Sequence, residues 1–460
     1  MGLEEAKKLE EHYMLNTFAR KNVMLVEGSG MEVKDDTGKT YLDFIGGIGA
    51  DSLGHCHPAV SGAIAAQAER LIHVSNYYYI ENRGEVAKLI SDLMNQCVPR
   101  FFRAPWKTFF CNSGAEANEC AIKLARLYGK KLGLAGNTII TLDRSFHGRT
   151  LATLAATAQP AKQEAFQPLP DGFIHVPIND LAALQRAFLE NPGTICGVMV
   201  EPIQGESGVH PCDEDYLFEA VKLTRRNSAL FICDEVQCGI YRCGENPFCF
   251  QNMGITPDIV TLAKGIAGGF PMGACVVRDE LADTFGPGDH GSTFGGSNLA
   301  MAAAYATLMT LSKGHFDESV QETGDYFMEK LRGVEGVTEV RGMGLMIAAD
   351  LEETLDAPSV VEAGLEAGFL LNATGPSTLR FLPPLICSAK EVDALIAALP
   401  DIFAQSRVLK EKADVEAAQK QAEEADKLKE EQKQLAEDYG EEAAQKFGKA
   451  LLDSVSKSVK

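Results

Sequence analysis

No apolar run in the chain approaches the ~20 residues that a membrane-crossing helix needs. A membrane span is therefore not expected. The N-terminal stretch MGLEEAKKLEEHYML lacks a basic patch followed by an apolar core, so it does not read as a secretory signal, and a cytoplasmic location is the expectation. Metal and redox spacing is missing too. None of the twelve cysteines forms a C-x-x-C pair, and although Cys238, Cys243 and Cys249 lie close together, no histidine falls among them. Reduced, mostly structural thiols and no metal are expected. Basic charge is in short supply, with 43 Lys and Arg against 64 Asp and Glu and a formal net charge of -21. That balance argues against a nucleic-acid partner, which would want a basic face.

What is present is an ordinary globular composition, 45% apolar and 23% charged, over 460 residues. From about residue 107 to 278, short apolar runs alternate with helical patterns: TFFC, TIITL, GVMV, ALFIC, DIVTLA and GACVV. Strands so uniformly apolar are buried on both faces, and their alternation with helices predicts a mostly parallel sheet between helical layers. In such sheets ligands sit beyond the carboxyl ends of the strands. The polar residues that follow the runs are Asn112, Glu201, Asp234 and Lys264.

Both ends of the chain carry shorter strand-like pieces, such as MEVKDDTGKTYLDF with its DDTG turn and VRGMGLMIAADL. Neither piece could bury much core alone, so together they are expected to form a smaller domain. The division is then 1–50 and 315–404 for the small α+β domain, 51–314 for the large one, and 405–460 for a charged tail. The tail, with 13 acids against 11 bases from Arg407 onward, reads as exposed helix.

The segment FFCNSGAEANECAIKLARLYG runs strand, glycine turn, helix. A turn that opens a helix offers free backbone N–H groups and the positive end of the helix dipole, which suits a phosphate and equally suits an ordinary capped helix. FICDEVQ and TLAKG place Asp234 and Lys264 at the ends of buried strands. Asp and Lys are rarely buried alone, so the two mark either a site or a structural salt bridge.

The ordered motifs NSGAEANE, FHGRT, EPIQGE, DEVQ, LAKG, GSTFGG and RFLPPL, spread between about Asn16 and Ile402, resemble those of the subgroup III pyridoxal-phosphate aminotransferases, and most closely the acetylornithine type. The resemblance implies fold type I, an α/β fold with a mostly parallel seven-stranded sheet, and a homodimer with both active sites at the subunit interface. It implies pyridoxal 5'-phosphate held as a Schiff base on Lys264, with Asp234 on the pyridine nitrogen and Lys264 also moving the substrate proton. Gly114 and Ala115 would hold the phosphate, Phe146 and Val236 would cover the two ring faces, and Gln237 would reach the ring hydroxyl. Thr293 and Ser292 would arrive from the partner subunit, at the phosphate and near the substrate. Arg149 and Arg380 would bind substrate carboxylates, with Glu206 exchanging on and off Arg380, and Ile48 and Tyr79 complete the implied substrate site.

Six positions depart from the pattern. GGNP is GGSN here (Ser297, Asn298), the glycine and threonines of DEVQTGxGRTG are Tyr241, Cys238 and Cys243, and the second glycine of GEGG is Ser207. Tyr241 and Ser207 are expected to reshape the pocket or its rim. The implied reaction transfers the distal amine of N2-acetylornithine to 2-oxoglutarate, a step of arginine biosynthesis. Alternatives are succinylornithine, N-succinyl-diaminopimelate, ornithine or 4-aminobutyrate as donor, or a glutamate-1-semialdehyde aminomutase. Ile48 argues for an acylated donor, because an apolar residue there suits an amine that carries no charge.

Overall fold

The computed structural model describes residues 1–439. Its centre is a seven-stranded sheet in the order Trp106–Cys111, Gly273–Arg278, Ile259–Leu262, Leu230–Asp234, Ile195–Val200, Thr138–Leu142, Phe173–Val176. Only Gly273–Arg278 runs antiparallel to its neighbours. Six of these strands coincide with the apolar runs of the sequence. The seventh, Phe173–Val176, is a partly exposed edge strand, and its weaker apolar pattern hides it among loop residues.

Side chains along a strand alternate between faces, and here both faces are buried. Leu230 and Ile232 join one apolar cluster with Ile139, Ile259 and helix residues Ala121, Leu124 and Ala125. Phe231 and Cys233 join the larger cluster on the opposite face with Ile140, Val260 and Leu262. The helix Gly114–Lys131 covers the first face by presenting small residues: Ala117, Ala121 and Ala125 are fully buried.

The two chain ends meet outside this layer. Strand Thr40–Asp43 pairs in parallel with Phe369–Leu370, which ties the N-terminal hairpin to the C-terminal region. A separate antiparallel sheet holds Val337–Met343, Met346–Leu351, Thr378–Phe381 and Asn372–Ala373. The last helix runs from Ala389 to Tyr439 and passes through Pro400 without a break at 405. Val392, Leu395, Leu399, Ile402 and Phe403 anchor it in the core, and Ser406 is the last of its described residues to be buried. The part of the expected tail from 440 to 460 lies outside the described residues.

Candidate active site

Parallel strands end at one rim, and that rim bounds a cavity of about 380 Å³ lined by Gly114, Phe146, Asp234, Val236, Gln237 and Lys264 among others. The antiparallel strand contributes from its start, so Gly269 to Met272 close the same wall. Lys264 directly follows the strand–Ala263 junction and has φ +47°. A left-handed lysine is held at a conformational cost, and such positions concentrate where function fixes a side chain. Burial pushes its amine below the usual lysine value; Arg380 adds to that, while Glu206, Asp234 and Glu201 oppose it.

Asp234 is fixed from three sides. Its Oδ2 accepts from Asn118 Nδ2 at 2.7 Å and pairs with His147 Nδ1 at 2.8 Å, and Oδ1 accepts from the Val236 N–H at 3.0 Å. The ion pair is thus with His147, not with Lys264, and the purely structural Asp–Lys bridge is absent among the described residues. Burial disfavours the His147 cation, but the hydrogen bond and charge of Asp234, with help from Glu201, outweigh it and hold the imidazole above its usual pKa. His147 is thus the buried charge and hydrogen-bond partner of Asp234. Glu201, pushed up to about 7 by burial, accepts from the Phe146 N–H at 2.7 Å and the Gly205 N–H at 3.2 Å. It thereby pins the loop that carries Phe146 to the loop that carries Glu206.

At the opposite wall, Ser113 caps the helix Gly114–Lys131 by accepting from the Glu116 N–H at 3.2 Å, and Glu116 reaches back to the Asn112 N–H at 2.6 Å. The N–H groups of Gly114 and Ala115 have no partner among the described residues. Gly114 is required by packing, since a Cβ there would lie 2.7 Å from Val236 Cγ1. The donors suit a phosphorylated aromatic cofactor: free helix N–H groups for a phosphate, Val236 and Phe146 for ring faces, a buried carboxylate for a ring nitrogen and a depressed-pKa amine for a carbonyl carbon.

A second cavity of about 500 Å³ lies alongside, lined by Ile48, Lys162, Glu206, Ser207, Asn372 and Arg380 among others. Arg380 is buried and has partners on two of its three nitrogens. It donates through one nitrogen to Glu206 Oε1 at 2.7 Å, Gly205 O at 3.0 Å and Gln237 Oε1 at 3.2 Å, and through Nε to Asn372 Oδ1 at 3.0 Å. Burial alone would raise the Glu206 pKa, but Arg380 and Lys264, together with the Arg380 and Gln237 hydrogen bonds, bring it down to about 2. Gln237 also donates to Glu206 at 3.1 Å, so it bridges the two cavities. Ile48 holds a left-handed backbone at φ +60°, strained for a β-branched residue, within the GGIG turn. Arg149 lines the first cavity with its guanidinium carbon 5.6 Å from the Phe146 ring centre.

Three of the expected residues line neither cavity. Tyr79 and Thr293 are exposed, and Ser292 is half-buried, its Oγ accepting from Asn112 Nδ2 at 3.2 Å. These residues belong to neighbouring segments, because Asn76 Nδ2 donates to Ser292 O at 2.7 Å and to Gly295 O at 3.1 Å. The expectation for Tyr241 is corrected. Its side chain packs into the core and lines neither cavity, whereas Ser207 does stand at the rim. His147, Asn118 and Lys162 were not singled out from the sequence. His147 stands inside the FHGRT motif, but nothing in the residue order says that it faces Asp234, 87 positions away.

Residues 16–403 match the family described as Aminotransferase class-III. An acetylornithine aminotransferase of Methanocaldococcus jannaschii is 47% identical over 410 residues, covering 88% of this chain and 99% of that protein. Among solved structures, the ornithine aminotransferase of Toxoplasma gondii ME49 superposes with a TM-score of 0.80 at 30% identity, covering 90% of this chain and 96% of that one. The acetylornithine aminotransferase of Elizabethkingia anophelis gives 0.76 at 30% identity, with 88% and 99% covered. With a family match over most of its length, the same fold and a cavity whose groups suit the cofactor, the chain belongs to the class-III aminotransferases, enzymes dependent on pyridoxal 5'-phosphate.

Proposed function

We propose that the enzyme moves the distal amine of N2-acetyl-L-ornithine to 2-oxoglutarate, giving N-acetylglutamate 5-semialdehyde and glutamate, in the arginine-forming direction of metabolism. The observation that carries this reading is the Arg380–Glu206 pair at 2.7 Å. One pocket must take two dissimilar substrates in turn. Glutamate brings a carboxylate next to its reacting carbon and acetylornithine brings only methylene there. Arg380 welcomes the first, and beside the second it would be an unpaired buried charge, which is costly. Glu206 supplies the missing anion when acetylornithine binds and leaves when glutamate's own carboxylate arrives. The names of relatives at 40–47% identity support the same donor.

The bound cofactor supplies an electron-withdrawing ring that stabilises negative charge on the substrate carbon. Lys264, neutral more readily than an ordinary lysine, carries a proton from that carbon. Asp234, held in place by His147 and Asn118, would face the ring nitrogen. Gly114 and Ala115 hold the phosphate, Val236 and Phe146 flank the ring, Gln237 reaches the ring hydroxyl, and Arg149 takes the far carboxylate in both half-reactions. Ser292, Thr293 and Tyr79 act from a second copy of the chain in a cytoplasmic homodimer. Supporting this, the segment 77–79 and Phe294 expose four aromatic side chains on one surface, a pattern typical of an interface.

The test is a donor screen against 2-oxoglutarate, with kcat/KM for acetylornithine, ornithine, succinylornithine, N-succinyl-diaminopimelate and 4-aminobutyrate. Acetylornithine should lead by tenfold or more. A lead for ornithine would move the assignment to the ornithine enzymes that the fold also matches.

A further inference from the structure

We propose that Lys162 is a substrate-binding residue that shares with Arg149 the carboxylate farthest from the reacting carbon. This rests on the reading above that both substrates present such a carboxylate. Lys162 lies in the short helical turn Pro160–Gln163 and lines the second cavity together with Glu206, Arg380 and Ile48. Its Nζ is 5.7 Å from the Phe146 ring centre, and the Arg149 guanidinium carbon is 5.6 Å from that same centre. The backbone that carries the ring is anchored, because the Phe146 N–H donates to the buried Glu201. Two cations are therefore gathered around one fixed aromatic ring at the mouth of the site.

Neither cation has a carboxylate partner among the described residues. Lys162 donates only to the neutral amide of Gln159, and Glu206, which lines the same cavity, is committed to Arg380. Such an arrangement costs free energy until an anion arrives. Half-burial, and after it the charge of Arg149, lowers the Lys162 pKa, while the charge of Glu206 resists this. An anion placed between the two cations removes that repulsion and gains a charge-assisted bond to each. The need is general as well as local. The protein carries a net charge of -21, which repels dicarboxylates, so capture depends on a locally positive mouth.

Glutamate has the distal carboxylate and L-alanine lacks it, while both present the same group at the reacting carbon. The test uses the cofactor-loaded enzyme, with single-turnover absorbance following each amino donor separately. For Lys162→Gln, KM for glutamate should rise roughly tenfold with kcat within about threefold, as expected for loss of a charge-assisted bond to a ground-state carboxylate. The slow half-reaction with alanine should keep its kcat/KM. Lys162→Arg should restore glutamate binding to within about threefold, which a purely steric role would not allow. An unchanged KM for glutamate in Lys162→Gln overturns the proposal, and so does an equal loss with alanine, because that means general disturbance of the site. Failure of the wild-type enzyme to react with glutamate would instead remove the functional reading and is seen before any variant is made.

Discussion

Replacing Glu206 by alanine separates the two half-reactions of the proposed cycle. Its carboxyl falls from the usual 4.5 to about 2 in the folded protein, a net result of burial opposed by Arg380, Lys264 and Gln237. That difference of about 2.5, at ~1.4 kcal/mol each, sets an upper bound of roughly 3.5 kcal/mol on the favourable surroundings of the charged form. The side chain is 26% exposed, so solvent screening reduces the useful part to about 1.5–3 kcal/mol, or ten- to a hundredfold. When acetylornithine occupies the site, Glu206→Ala leaves Arg380 facing methylene without an anion, and kcat/KM for that half-reaction should fall by this factor. When glutamate occupies it, the substrate carboxylate stands where Glu206 stood, and kcat/KM should stay within about threefold or improve. Cofactor absorbance in single turnovers reads both. Equal losses in the two half-reactions would refute the reasoning, because Glu206 would then be structural rather than an exchangeable counter-ion.

Lys264→Ala should leave no lysine that borohydride can fix to the cofactor, and peptide mapping of the reduced wild-type enzyme should find the label on Lys264 alone. In the wild-type apoenzyme, cofactor capture should accelerate as pH rises toward a midpoint below the ordinary lysine value, because capture needs the neutral amine and burial lowers its pKa; a midpoint at or above that value would contradict the enclosure of Lys264. A chain stopped after Lys412 should keep its turnover and its Tm, whereas one stopped after Pro400 also loses the buried Ile402 and Phe403 and should be destabilised by ~5 kcal/mol or more, measured by denaturant titration. A shorter chain, ending at Lys412, that became monomeric or inactive would make the exposed part of the last helix an assembly element.

The residue order alone determined the layers, because strands buried on both faces must be apolar along their whole length and only helical crossovers join parallel neighbours. It also named the strand-end residues Asp234 and Lys264, since a charge that interrupts such a run has to be explained by function or by pairing. Between those two explanations it could not choose. The choice came from the tertiary structure, which gives Asp234 to His147 and Asn118 and leaves Lys264 facing the cavity. The same holds for the Arg380–Glu206 pair, 174 positions apart, and for Lys162 beside Arg149, where an exposed-looking helical turn is swung against an active-site ring. Tyr241 errs in the other direction: a departure from the motif suggested a changed pocket, but its side chain turns into the core. Periodicity is a local property that one segment carries by itself, so it survives in the sequence. Which charges meet depends on how separate segments pack, and burial then decides which of them stay ionised and which are left free to react.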